Sequence, residues 1–373
     1  MNAWGCSRNG TWKVSAAGGR AGGLVMSNRI PGRINVVDMH CDTISGIYGE
    51  RNRGRECNLR KNIGHIDLQS MCEGGYLLQN FALFVNMGRC ENPWESVLAL
   101  HAVYEEELAK NQDLIAPVYR FEDIEKNISH GKMSAMLTVE EGGVCQGDLS
   151  KLHILYEKGV RMVTLTWNYP NELGYPNLDA NKEKNVMGNP VLEREYLNTA
   201  DTTNGLTQTG RRFVEEMEAL GMIPDVSHLS DAGFYDVLAC TKKPFVASHS
   251  NARAVCPCVR NMTDDMIRKL AERGGCMGLN YCPDFLVQKP VGVQNPGTVE
   301  DIVKQARYIA NVGGIEVLGL GSDFDGIEGH EELAGAQSME KLYDGLLKGG
   351  FTSGQVDKIF SENVLRVYKE CLK

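Results

Sequence analysis

What most constrains this chain is a recurring unit: a short apolar run that ends on a histidine or a carboxylate. Residues 34–39 lead into His40-Cys41-Asp42, and residues 134–139 into Glu140-Glu141. Residues 223–226 lead into Ser227-His228, and 244–247 into Ser248-His249. Residues 317–320 lead through Gly321 into Ser322-Asp323-Phe324-Asp325. Three further runs, 76–85, 160–165 and 276–279, bring the expected strands to eight. Amphipathic helices fall between them. One spans 93–110, and one spans 209–220 with Phe213, Val214, Met217 and Leu220 on one face and Gly221 as its stop. Ser230, Thr263 and Thr298 stand as N-caps of later helices.

Eight strands alternating with helices predict a parallel (β/α)₈ barrel over residues 34–373, as a single domain. Residues 1–33, rich in Gly, Ser, Arg and Asn, read as a flexible N-terminal extension. The polar stretch 168–204 has no clear period and reads equally as a functional cover or a surface insertion.

A parallel barrel buries both faces of its strands, so polar residues there are costly unless they are satisfied. At the C-terminal strand ends they converge on one mouth, where barrel active sites lie. His40, Asp42, Glu140, His228, His249 and Asp323 are thereby aimed into one space. Residues i and i+2 of a strand share a face, so His40 and Asp42 point together while Cys41 points aside. The same period allows only one of Glu140 and Glu141 to face the axis. Imidazoles and carboxylates suit zinc. One ion would take His40 and Asp42, a second His228 and His249, and a bridging Glu140 would serve both at the short separation that two-metal hydrolysis uses.

The net charge of −9 argues against a nucleic-acid partner. No stretch approaches the roughly 20 apolar residues of a membrane span, and no signal-peptide core or hydrophobic tail is legible, so the cytoplasm is the expected location. The 12 cysteines are scattered without a framework and read as small buried hydrophobes in a reducing compartment.

These residues resemble the membrane (renal-type) dipeptidases, zinc metallopeptidases of the amidohydrolase-like barrel group. The likeness rests on Val36-Val37-Asp38-Met39-His40-Cys41-Asp42-Thr43, Asp225-Val226-Ser227-His228-Leu229-Ser230, Ser248-His249-Ser250, Arg260-Asn261, and Gly321-Ser322-Asp323-Phe324-Asp325-Gly326. It implies two Zn²⁺, one on His40, Asp42 and Glu140, the other on Glu140, His228 and His249. It also implies hydrolysis of dipeptides, including those with a C-terminal D-residue, by a metal-bridging hydroxide. Arg260 would hold the substrate carboxylate, Asp323 would pass the proton to the leaving amine, Asp325 would support the loop, and the protein would be a homodimer. The animal members carry a histidine after the strand-four Leu-Thr, thought to polarise the scissile carbonyl. Here Leu165-Thr166 is followed by Trp167 and Asn168, which become the candidate substrate donors. Two other readings fit the same residues: a barrel hydrolase of another amide, lactone or phosphoester, and a silent ligand-binding barrel. Comparative kinetics would separate the first, and an Asp323→Asn variant the second.

Overall fold

The computed structural model describes residues 34–290, 293–328 and 330–373; the expected N-terminal extension lies outside the described residues. The strands are β1 (Val36–Asp38), β2 (Tyr76–Phe84), β3 (Ile115–Pro117), β4 (Met133–Glu140), β5 (Val160–Thr164), β6 (Ile223–Asp225), β7 (Val246–Ala247), β8 (Cys276–Leu279) and β9 (Leu318–Leu320). They are hydrogen-bonded in the order β2-β1-β9-β8-β7-β6-β5-β4-β3, every pair parallel, and a β2–β4 pairing closes eight of them into a barrel. The ninth, β3, pairs only with the start of β4, Ile115 opposite Met133. It is absent from the sequence-based expectation because three residues, one buried and two half-buried, ending on proline show no period. β7 is shorter than the apolar run that predicts it. Pro244 has no N–H to give the ladder, and pairing begins at Val246.

The helices begin and end where local chemistry places them. Asn92 caps Pro93–Lys110. Ser230 Oγ accepts from Gly233 N at 3.0 Å and Thr263 Oγ from Met266 N at 3.3 Å. Gly221, at φ 84°, ends Gln208–Leu220 in the left-handed conformation that glycine adopts without a side-chain clash.

The barrel has a plugged end and an open end. Inward residues of the strands, Val37, Met39, Leu78, Met136, Met162, Ile223, Val246 and Cys276, pack with Val364, Val367 and Tyr368 of the C-terminal helix Asn363–Cys371. Tyr368 Oη also exchanges hydrogen bonds with the Asn80 side chain inside the barrel, at 2.8 and 3.0 Å. Among the described residues, the packed end closes the barrel floor and the C-terminal mouth is the open end. The stretch 168–204 carries two short helices, Ala180–Glu183 and Pro190–Asn198. Asn177 ties it down through the carbonyls of Leu229 (3.2 Å) and Val259 (3.0 Å) and through Asp231 Oδ1 (2.9 Å). No disulfide joins any of the described cysteines. No helix among the described residues is long and apolar enough to cross a membrane.

Candidate metal centre

The structure brings together all the ligand candidates read from the sequence. Glu140 is the last residue of β4, His40 and Asp42 follow β1, His228 follows β6 and His249 follows β7. Glu140 Oε1 lies 3.1 Å from His228 Nε2 and 3.5 Å from His249 Nε2, and those two nitrogens are 3.0 Å apart. On the other side, His40 Nε2 lies 3.4 Å from Glu140 Oε2, 3.7 Å from Asp42 Oδ2 and 3.9 Å from Asp323 Oδ1. The His40 and His249 rings stack at 4.0 Å.

This donor set fits a metal pair. Ligand atoms about 2.0–2.2 Å from a tetrahedral ion stand roughly 3.3 Å from one another. The contacts of His40 Nε2 are too long for good hydrogen bonds yet close to that spacing. Both ring nitrogens of His40 and Oδ1 of Asp42 are buried without a hydrogen-bond partner, a costly state that an ion would relieve at Nε2 and at the carboxylate. Two sets of donors, His40-Glu140-His249 and His40-Asp42-Asp323, each lie within 4.8 Å of one another.

The charges settle accordingly. Burial pulls the His40 imidazole down, but the Glu140 and Asp42 carboxylates outweigh it and hold the ring well above its ordinary value. His228 is lowered to about 4 by burial and by the Arg260 charge, and burial also drives His249 well down, so both rings offer bare lone pairs at neutral pH. Burial raises Glu140, but His40 and His228 more than reverse it, leaving the carboxyl far below the usual range. Burial, with the Glu140 charge adding to it, raises Asp42 to about 6. Asp323 is pushed up to about 7, mainly by burial, with Asp42 and Glu140 adding.

Non-glycine residues with left-handed backbone cluster here: Glu141 (φ 108°), His228 (69°), Asp323 (62°) and Asp325 (66°). Such conformations are uncommon and persist where surrounding bonds impose them. Asp325 accepts from Thr43 Oγ at 2.7 Å and His65 N at 2.6 Å, and so braces its loop. Glu140 turns inward while Glu141 turns away. Glu141 accepts the backbone N–H groups of Gly143 (2.8 Å) and Trp167 (3.1 Å) and a bond from Asn171, clamping the loop that follows β5.

A cavity of about 980 Å³ opens above the cluster, with Asp42, Glu140, Trp167, Asn168, His228 and Asp323 in its wall. Trp167 packs edge-on against Phe84, ring centres 4.9 Å apart. Asn168, also in the wall, accepts from His228 Nδ1 through its Oδ1 at 2.9 Å, which leaves its amide N–H groups available as donors. Arg260 is 4% exposed and lies behind the wall. Its guanidinium stacks 5.4 Å from the Phe285 ring and donates to the His249 carbonyl at 3.3 Å, while its Nε–H is buried without a partner.

Sequence reasoning gave no role to Asp38, Asp225, Ser248 or Asn280. Asn280 Nδ2 donates to Asp323 Oδ2 at 3.0 Å. Asp38 and Asp225 close β1 and β6 and are fully buried. A carboxylate at the end of an otherwise apolar parallel strand was the available signal.

Fold and mouth together place the chain in the class of metal-dependent barrel hydrolases. Residues 26–372 match the sequence pattern of the membrane dipeptidases, peptidase family M19, and the chain belongs to that family of metallo-dipeptidases. A Klebsiella pneumoniae protein, described as uncharacterized and encoded in the pqqA 5' region, is 32% identical over 248 residues, 66% of this chain and 85% of that one. Dipeptidase tcpJ of Claviceps purpurea (strain 20.1) is 27% identical over 319 residues, 82% of this chain and 69% of that one. Among solved structures, the family M19 metallo peptidase dipeptidase AC superposes with a TM-score of 0.79 at 26% identity, covering 91% of this chain and 99% of that one. A Rhodobacter sphaeroides metallo peptidase shares the fold at a TM-score of 0.76 and 24% identity, over the same shares of the two chains.

Proposed function

We propose that the chain hydrolyses dipeptides with two zinc ions, one held by His40, Asp42 and Glu140 and the other by Glu140, His228 and His249. The observation that carries this reading is the convergence of three imidazole Nε2 atoms on the two oxygens of Glu140. When bound, the ions supply a Lewis acid for the scissile carbonyl and a water activated near neutral pH.

The chain's own residues do the rest. Arg260 binds the free carboxylate of the dipeptide, since a guanidinium meets a carboxylate through paired hydrogen bonds and the buried Nε–H of Arg260 has no other partner. Asp323, steadied by Asn280, holds the proton that the leaving amine receives. Trp167 and Phe84 wall the cavity, and the plugged floor of the barrel leaves the mouth as the way in. Dipeptides with a C-terminal D-residue belong in the first screen, because the Rhodobacter sphaeroides relative was solved with a phosphinate mimic of L-Ala-D-Ala.

The test is a panel of L,L and L,D dipeptides given to purified protein before and after metal removal, with zinc counted in parallel. Hydrolysis that requires two zinc ions per chain supports the reading. Undiminished hydrolysis by fully metal-free protein sinks it.

A further inference from the structure

Two strand-end aspartates form the same brace on opposite sides of the mouth. Asp38 Oδ1 accepts the backbone N–H of His40 (3.1 Å) and of Ser322 (3.0 Å), the residue before Asp323. Asp225 Oδ1 accepts the backbone N–H of Ser227 (3.0 Å), the residue before His228, and of Ser248 (2.8 Å), the residue before His249. Each aspartate therefore staples two site-bearing strand ends together.

The second carboxylate oxygens differ. Asp225 Oδ2 takes the hydroxyl hydrogens of Thr164 and Ser248, both at 2.6 Å. Having given its hydrogen to Asp225, Ser248 Oγ can only accept from His249 Nδ1, 2.7 Å away. His249 is thereby held as the Nδ1–H tautomer, with its Nε2 lone pair toward Glu140. Asn168 does the same for His228. On the other side, Asp38 Oδ2 and His40 Nδ1 are both buried without a hydrogen-bond partner.

We propose that Asp225 is a positioning residue that acts through the Ser248 hydroxyl to fix the His249 tautomer, and so sets the zinc affinity of the His228–His249 half of the site, a relay the His40 half lacks. The inference rests on the metal-site reading above, but the tautomer can be read without metal.

Asp225→Asn is the sharpest test. The two partners of Oδ1 are backbone N–H donors, which only an amide oxygen can face. The amide nitrogen must then face Ser248 Oγ and donate to it. That turns the hydroxyl away from residue 225. Of its two remaining partners, His249 Nδ1 at 2.7 Å is nearer than Ser227 Oγ at 3.3 Å, so it donates to Nδ1 and drives the ring proton to Nε2, where it blocks the ligand position. In the full-length, metal-stripped chain, ¹⁵N-histidine spectra should show His249 as Nδ1–H in wild type and Nε2–H in the variant. Zinc titration against a competing chelator should show one of two binding steps weakened by about 10- to 100-fold. Ser248→Ala should weaken the same step less, and Ser248→Thr, which restores the hydroxyl, should bind as wild type does.

If Asp225 only supports the fold, Asp225→Asn will lower the melting temperature of the metal-free chain while leaving tautomer and zinc affinity unchanged, and that result overturns the proposal. If Asp225→Asn does not fold, the serine pair decides: equal zinc affinity for the Ala and Thr variants overturns the relay. Wild-type protein that binds no zinc at this half overturns the site reading, while the tautomer spectra still decide the relay.

Discussion

His228 Nε2 and His249 Nε2 face one another across 3.0 Å, with Glu140 Oε1 against both. One ring could donate to the other across that gap, but with Asn168 Oδ1 and Ser248 Oγ each taking an Nδ1–H, two bare Nε2 lone pairs face one another and repel unless a cation stands between them. On the two-zinc reading, bound metal is then part of what stabilises the fold. A ligand that binds only the folded chain stabilises it by about 2.7 kcal/mol at 100 times its dissociation constant. Chelation should lower the unfolding temperature measured by calorimetry, and zinc should restore it. Identical transitions with and without zinc would contradict this.

Asp323 touches the cluster without completing the His228–His249 half. It lies 3.9 Å from His40 Nε2 and is tethered by Asn280. Asp323→Asn keeps an oxygen and the shape of the side chain but cannot hold and release the proton. Steady-state kinetics should show kcat reduced by about 10²- to 10⁴-fold, with KM little changed. Activity equal to wild type would remove Asp323 from the chemistry.

The site was legible where side-chain type and strand position agree. His40, Asp42, Glu140, His228 and His249 each end or follow an apolar run, and the alternation of strands and helices carries them to one mouth. Glu140 and Glu141 could not be ordered from spacing, because the turn that separates them is set by the left-handed backbone of Glu141. The bond from His228 to the Asn168 oxygen was not legible, because nothing local links residues 60 apart. β3 escaped because it is short and shows no period, and the burial of Arg260, though the residue itself was named, was not legible because the Phe285 ring beside its guanidinium belongs to a separate helix, Pro283–Leu286.

The packing beneath the ligands allows little motion. A Cβ at Gly321 would lie 1.8 Å from the Ser248 carbonyl oxygen and 3.1 Å from Gly278 Cα. Both obstacles are backbone, and Ser248 precedes His249. Gly321→Ala should cost about 1–3 kcal/mol in denaturant unfolding, the usual range for overpacking, and should also weaken zinc binding. Unaltered stability and metal content would show that the β7–β9 region is looser than this geometry implies.

Arg260 offers a test of substrate recognition that leaves the metals alone. A hydrogen bond to a charged group contributes about 1.5–3 kcal/mol. Arg260→Lys keeps the charge but loses the planar fork, so kcat/KM for dipeptides should fall about 10- to 100-fold, chiefly through KM. Dipeptide amides, which lack the carboxylate, should be poor substrates of wild type and suffer little further loss in the variant. Equal losses for acids and amides would mean that Arg260 supports His249 and Phe285 instead of binding substrate.

Trp167 stands where the animal relatives are expected to carry histidine, and its ring can act as a wall or as a donor. Its contacts show how the ring is held. The indole is set edge-on against Phe84 at 4.9 Å, and Glu141 grips its backbone N–H. Trp167→Phe preserves the apolar face and should change kcat by less than about tenfold, roughly the worth of one ordinary hydrogen bond. Trp167→Ala removes the face and should raise KM for dipeptides with large side chains more than for Gly-containing ones. Loss of a donor to a developing oxyanion has a different signature, a fall of about 10²- to 10³-fold in kcat. That fall in Trp167→Phe, at unchanged KM, would show that the indole N–H has taken over the carbonyl-polarising task of the missing imidazole.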